Sequence, residues 1–235
     1  MFQYILRIFA EGDVALPAQG MASIPAQLAE NFPDGSIRTD VRVGSLHPGK
    51  VELTSGEIIK GRAIVLATEG PETARLLGSE QKINSNGELC LYYTAKAPPI
   101  EHPYLILNGD RSGWINSLTV PSQVTPSYAP PGQALISVVV IDHLTSDDDT
   151  VEAAVRGQLT AWFGAAVKDW RHLKTYRIAH ALPAQPPPMP DPTVSVTPFR
   201  PGIFVCGEYG SVPGIQWAML SGRHAAEAVI KKLEQ

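Results

Sequence analysis

The residues best placed to do chemistry lie near the C-terminus. There Ile203-Phe204-Val205-Cys206 runs into Gly207-Glu208-Tyr209-Gly210-Ser211-Val212-Pro213-Gly214 and then into Ile215 to Leu233. The four apolar residues read as a strand covered on both faces. Gly207 and Glu208 then set one carboxylate at the strand's carboxyl end, where ligands bind in open α/β sheets. The helix that follows starts close by, with unpaired N–H groups and the positive end of its dipole. Strand end, acid and helix start together have the chemistry of a cofactor seat. The plainer reading of Glu208 is an exposed turn acid after an edge strand. Tyr209 and Trp217 read equally as pocket walls or as packing residues.

Other chemistries find less support. The chain has no G-x-S-x-G, H-E-x-x-H, C-x-x-C or P-loop run, so hydrolase, metalloprotease and nucleotidase readings have no motif to rest on. Six histidines are scattered without metal-ligand spacing. His180, after Tyr176 and Arg177, reads first as structural and second as a residue facing a substrate cavity. Asp147-Asp148-Asp149 resembles a metal-ligand cluster, but acids behind Ser146 fit a helix start better.

The elements that position these groups belong to an ordinary globular chain. Its 235 residues allow one large domain or two small ones. A hydrophobic share of 44% and a charged share of 18% fit neither a disordered nor a membrane-spanning protein. A net charge of −4, without a basic run, argues against nucleic acid as a partner. No apolar run is long enough to span a membrane. Met1 to Arg7 lacks the parts of a signal peptide. Cys90 and Cys206 sit in separate strand-like runs and read as buried reduced thiols. A reducing, cytoplasmic setting follows. Prolines cluster between about 98 and 131 and between 183 and 201, predicting bends and extended crossings.

In chain order, Met1 to Ala10 is apolar and reads as a helix end or a strand, followed by a turn at Glu11-Gly12-Asp13. A short helix is expected from Ile24, with Ser23 as N-cap and Pro25 in its first turn. Asn31-Phe32-Pro33-Asp34-Gly35 stops it. Ser36 to Val43 alternates as a strand should, and Val51-Glu52-Leu53 and Ile58-Ile59-Lys60 complete a meander. Ala63 to Ala67 is a second buried strand, and Pro71 to Leu77 a short helix. Leu89 to Ala95, Tyr104 to Leu107, Trp114 to Val120 and Ala134 to Ile141 follow as strands without helices between them, an antiparallel sheet of its own. A helix capped by Ser146 then buries Val151, Val155, Leu159 and Trp162 or Phe163 and ends at Gly164. Trp170 to Leu182 reads as one more strand.

ALPAQGMASIPAQLAENFP, a meander, AIVLATEG, and far later IFVCGEYGSVPGIQWAMLSGRHAAEAV together resemble FAD-dependent oxidoreductases. The relatives are the phytoene desaturase-like and flavin amine oxidase-like enzymes. WINSLTVPSQVTPSYAPPGQALISVVV looks like the substrate-domain sheet of the desaturase-like branch. The resemblance spans nearly the whole chain and is most specific at the C-terminal Gly-acid motif. It implies an α/β (α+β) protein: an incomplete FAD-binding Rossmann-like domain, residues 1–83 and 196–235, with an inserted antiparallel-sheet substrate domain, residues 84–195. It implies that Gly207 and Glu208 approach the flavin's ribityl chain. Gly214, Ile215 and Gln216, at the helix start, would meet the pyrimidine edge of the ring. Val43 would contact adenine through its backbone, Thr68 and Gly70 the adenosine half, and Gly20 and Met21 the flavin region. Ala218, Gly222 and Ala226, one turn apart, would allow close packing against sheet or cofactor.

Such families open on a βαβ unit with G-x-G-x-x-G, and no such run occurs in these 235 residues. The resemblance therefore implies a flavin domain that a partner chain or a second copy would complete. The expected activity is hydride transfer from a hydrophobic or amine-bearing small molecule to flavin. The alternative is a non-enzymatic binding or interaction module derived from the same family.

Overall fold

A computed structural model describes residues 10, 12, 15–79, 84–110, 112–184, 186, 199–210 and 213–234. All of the expected N-terminal helix end or strand but Ala10 lies outside them, as do most of the expected turn at 11–13 and of the proline-rich crossing at 183–201. The first elements are α1 (Ser23–Ala29), β1 (Val43–His47), β2 (Lys50–Leu53), β3 (Ile58–Lys60), β4 (Ile64–Leu66) and α2 (Gly70–Leu77). Then come β5 (Ser85–Ala95), β6 (Ile106–Leu107), β7 (Ile115–Thr119), α3 (Pro121–Val124) and β8 (Ala134–Val140). The chain continues with α4 (Asp148–Phe163), β9 (Arg171–Pro183), β10 (Ile203–Val205) and α5 (Ile215–Leu233). Contacts group residues 1–37 and 88–178 into one compact unit and residues 38–87 and 179–235 into another. Among the described residues no helix is long and apolar enough to cross a membrane.

The first unit is built on a five-stranded sheet of order β6-β7-β8-β5-β9. β8 alternates strictly between buried and half-buried residues, as a strand with one covered face must. Ala134, Ile136, Val138 and Val140 join Leu89, Leu91, Tyr93 and Ala95 of β5 on the covered face. Helix α4 packs Val151, Val155 and Leu159, all fully buried, into the same core. The expected helical spacing is thus observed, with Phe163 half-buried against the core and Gly164 at the helix end.

The cap is not the expected one. Asp147, not Ser146, caps α4: its Oδ1 accepts from the Thr150 amide at 2.8 Å and its Oδ2 from the Thr150 hydroxyl at 2.7 Å. Asp147 is extended, which aims its side chain at that amide, and an anionic acceptor suits a helix start better than a hydroxyl. The Thr150 hydroxyl and amide hold the Asp147 carboxyl below the usual carboxylate range. One turn before the end of α4, Gln158 clamps the start of β7. Its Oε1 accepts from the amides of Trp114 and Ile115 at 2.8 and 2.9 Å, and its Nε2 donates to the Ser112 carbonyl.

Residues 15–37 belong to this unit, whereas the sequence grouped them with the C-terminal segment. The hydroxyls of Thr125, Ser127 and Tyr128 donate to the carbonyls of Leu16, Ala18 and Pro17 and tie the segment down. Helix α1 starts at Ala22 as N-cap, not at Ser23, because the Ser23 hydroxyl donates back to the Gly20 carbonyl at 2.7 Å. Leu28 is exposed, so α1 buries no face.

The second unit holds the meander β1-β2-β3 and the parallel pair β4–β10. The meander starts later than the sequence predicted. Residues 36–42 form no strand, because Ile37 and Val41 are as exposed as the charged residues between them and have no core to face. Arg38 instead pairs with Glu57 through two 2.8 Å hydrogen bonds. Register in the parallel pair runs Ile64 to Ile203, Val65 to Phe204 and Leu66 to Val205. Leu66 and Ile203 pack with Leu76 and Leu77 of α2 into a small second core. Arg75 of α2 donates to the carbonyls of Val43 and Gly44 at 2.9 and 3.0 Å while Glu72 grips it bidentately. Cys90 and Cys206 are buried free thiols, and burial pushes the Cys206 thiol up.

Two outcomes test this packing. Gln158→Ala leaves two backbone amides without their acceptor and should destabilise the protein by about 1–3 kcal/mol in urea unfolding. Tyr92 and Tyr93 carry phenols raised above the ordinary 10.0, Tyr92 to about 12, chiefly by burial. The unfolded chain therefore releases these protons first. Stability should hold below pH 10.0 and fall as pH rises from there toward about 12, with a shallower fall in Tyr92→Phe.

Candidate functional site

The parallel register of β4 and β10 opens both strands at the same end. Beyond Leu66 the chain continues as Ala67-Thr68-Glu69-Gly70, and beyond Val205 as Cys206-Gly207-Glu208, with the Cys206 amide still bonded to the Leu66 carbonyl at 2.9 Å. Between these two segments lies a cavity of about 200 Å³ whose walls include Thr68, Glu69, Gly70, His180, Gly207 and Glu208, all from the second unit.

A hydroxyl network fixes the wall. Thr73 of α2 is 1% exposed, and its Oγ1 lies 2.7 Å from Thr68 Oγ1 and accepts from the Tyr209 hydroxyl at 3.2 Å. Burial raises the Tyr209 phenol, so it stays a donor at neutral pH. Gly207 has φ +145°, and a Cβ there would stand 2.6 Å from the Tyr209 ring. Only glycine lets the chain turn off β10 this tightly. The Gly207 amide donates to Ser221 Oγ of α5 at 3.1 Å.

Glu208 begins a short 3-10 turn, Glu208–Gly210, and reaches the start of α5. Its Oε2 accepts from the amide of Gly214, the N-cap, at 2.8 Å. Gly214 also needs its glycine, at φ +146°. The carboxylate is thus set against the positive end of the α5 dipole. The wall offers two carboxylates, three hydroxyls (Thr68, Ser85 and Tyr209) and an imidazole, and no Lys or Arg among the described residues lining it. Such a set accepts hydrogen bonds from sugar hydroxyls and repels phosphate.

Of the residues singled out from sequence, Thr68, Gly70, Gly207 and Glu208 share this wall, and Gly214 joins it through Glu208. Ile215 and Gln216 open α5, both largely exposed. Val43 is held on the meander, its carbonyl taken by Arg75. Gly20 and Met21 belong to the other unit, where Gly20 makes a turn that accepts from Ser23 and Met21 is exposed. Of the three small residues on α5, Ala218 lines the cavity, whereas a Cβ on Gly222 would meet nothing within 4 Å and Ala226 is exposed. The sequence also undervalued four residues. Glu69 and His180 line the cavity, and Thr73 and Ser221 hold its walls. His180 carried a weak signal, one more residue on a strand with Tyr176. The two hydroxyls carried none, because their partners are far away in sequence.

The family model for flavin containing amine oxidoreductases matches residues 2–230. No curated protein matches the sequence. Among solved structures, similarity extends to a provisionally assigned protoporphyrinogen oxidase from Exiguobacterium sp. 255-15, with TM-score 0.72 and 18% identity over 93% of this chain and 52% of that one. It extends also to cyclohexylamine oxidase from Brevibacterium oxydans IH-35A, with TM-score 0.64 and 13% identity over 92% and 53%. Reduced UDP-galactopyranose mutase gives TM-score 0.65 and 12% identity over 92% and 52%. At these identities the likeness is one of fold. The chain spans about half the length of these structures.

A pair of alanine substitutions tests the wall. Gly207→Ala should cost about 1–3 kcal/mol in denaturant unfolding, since the methyl meets the Tyr209 ring in a backbone region alanine avoids. Gly222→Ala, into open space inside a helix, should instead stabilise by about 0.5–1 kcal/mol.

Proposed function

The chain belongs to the flavin containing amine oxidoreductase family, and we propose that it forms the ribityl-binding side of an FAD-dependent oxidoreductase that takes hydride from an apolar small molecule. The observation that carries this reading is the carboxylate-lined cavity at the ends of β4 and β10, with Glu208 held on the amide of Gly214, the N-cap of α5. FAD is the cofactor the family implies. The residues present fit one part of it. A cavity of about 200 Å³ walled by Glu69, Glu208 and Thr68 suits a polyol or ribose, whose hydroxyls donate to carboxylates. It does not suit the pyrophosphate, which needs backbone amides or cations.

On this reading Glu208 accepts from a ribityl hydroxyl while Gly207 leaves room for the chain beside it. Gly214, Ile215 and Gln216 present the positive end of α5 to the pyrimidine edge, where negative charge collects on reduction. Thr68 and Gly70 share that cavity, and the adenine contact falls to the backbone of Val43. Bound flavin supplies the hydride acceptor, so no residue of this chain has to act as a general base. The pyrophosphate site would come from a partner chain, a second copy, or sequence beyond these residues.

The test is direct. Purified protein, as isolated or after incubation with excess FAD, should show the two visible flavin bands, and calorimetry should give saturable binding. Glu208→Ala should weaken FAD affinity by about tenfold or more through loss of one charge-assisted hydrogen bond. Protein that stays colourless and gives no heat with excess FAD overturns the reading and leaves the binding-module alternative.

A further inference from the structure

The sheet of the first unit has a second face. Leu89, Leu91, Tyr93 and Ala95 of β5 turn toward α4, which leaves Cys90, Tyr92 and Thr94 on the opposite face. Leu135, Ser137 and Val139 of β8 share that face by register. Near the β9 edge it forms an open cleft of about 430 Å³, lined by Tyr92, Leu135, Leu173, Lys174 and Tyr176. The volume suits a small organic ligand. The rings of Tyr92 and Tyr176 meet edge to face, with centroids 5.8 Å apart and an interplanar angle of 89°. They form the two walls of a corner, which receives a flat apolar body.

The charge of the cleft decides the rest. Lys174 Nζ stands 4.6 Å from the centroid of the Tyr176 ring. None of the ion pairs among the described residues includes Lys174. Glu88, the acid on the same face of β5, lies four residues from Tyr92, roughly 13 Å at the rise of a strand. Among the residues lining the cleft, Lys174 carries the one charge. A ligand ammonium would be repelled by it, and a ligand carboxylate attracted. The Tyr92 hydroxyl, pushed up to about 12 by burial and then by Cys90, remains a neutral donor.

We propose that this cleft binds a small planar apolar molecule carrying a carboxylate, its ring in the Tyr92–Tyr176 corner and its acid on Lys174. A partner strand is the poorer occupant, because the β9 edge carries Arg171, Lys174 and Arg177, charges that oppose edge pairing. All five lining residues belong to one unit, so the site stands whether or not flavin binds.

Naphthoate, naphthalenemethanol and naphthylmethylamine share one ring system and differ in charge. Calorimetric titration of the full chain should give naphthoate the tightest binding, the neutral alcohol about tenfold weaker, and the amine weaker still. Lys174→Gln should bring naphthoate down to the level of the alcohol, and Lys174→Glu should invert the order of acid and amine. Tyr176→Leu should weaken all three. Lys174 is exposed, so its variants keep the fold. Equal or tighter binding of the amine, an acid preference that survives Lys174→Glu, or no binding of any of the three overturns the proposal. A chain that takes up no FAD yet binds naphthoate retains this site and loses only the flavin reading.

Discussion

The candidate cavity depends on one parallel pairing, three residues on each strand. Ile64–Leu66 and Ile203–Val205 run side by side, so their carboxyl ends open together and place Thr68 and Glu69 opposite Gly207 and Glu208. Parallel strands cannot be joined by a tight turn, and here the crossover holds the whole five-stranded sheet. The length of that crossover is affordable in physical terms. Loop-closure entropy grows only logarithmically, so closing it costs about 2 kcal/mol more than closing one tenfold shorter. The burial of Leu66, Leu76, Leu77, Ile203 and Phe204 opposes that cost, at about 1.5–3 kcal/mol for each large side chain. A small core can therefore hold a distant pairing, provided its residues are almost wholly buried, and these are.

Electrostatics then give the cavity its character. A strand end beside a helix start is by default an anion site, because the helix offers unpaired amides and a positive dipole end. In this protein the site carries its own anion. Glu208 takes the Gly214 amide, and Glu69 adds a second carboxylate to the wall. A free phosphate is disfavoured where a neutral hydroxyl is welcome. One short contact thus puts an acceptor where a bare helix start would offer donors, and it requires a glycine at both ends of the turn, Gly207 and Gly214.

Local signals were legible in the sequence and long-range ones were not. The buried strand at Ile203, the helix that buries Val151, Val155 and Leu159, and the succession of antiparallel strands were readable because periodicity and turn residues are local. The alternation at 36–43 misled, because a period-2 pattern states which residues could share a face without saying that a core exists to receive them. The caps slipped by one residue, at Ser146 because Asp147 supplies the acceptor and at Ser23 because its hydroxyl donates backwards. A short polar side chain can accept from the helix ahead or donate to the turn behind, and the sequence does not say which. Gly207 and Glu208 were legible because a Gly-acid pair at a strand end is a compact signal. Thr73 and Ser221 were not, since each matters only through a partner that the fold brings near.

The open sheet face has an energetic logic of its own. An antiparallel sheet needs one covered face for stability, and α4 covers it. The other face is free to be selected for what it binds, but it must not be so apolar that it aggregates. Lys174 answers both demands. Laid over the Tyr176 ring, its ammonium gains about 0.5–1 kcal/mol at an exposed site and keeps a charge on apolar surface. An arriving carboxylate does not have to break that contact, because the ammonium keeps donors directed away from the ring. An arriving ammonium has to displace it. The contact that keeps a charge on this face therefore also sets the sign of the ligand proposed for it.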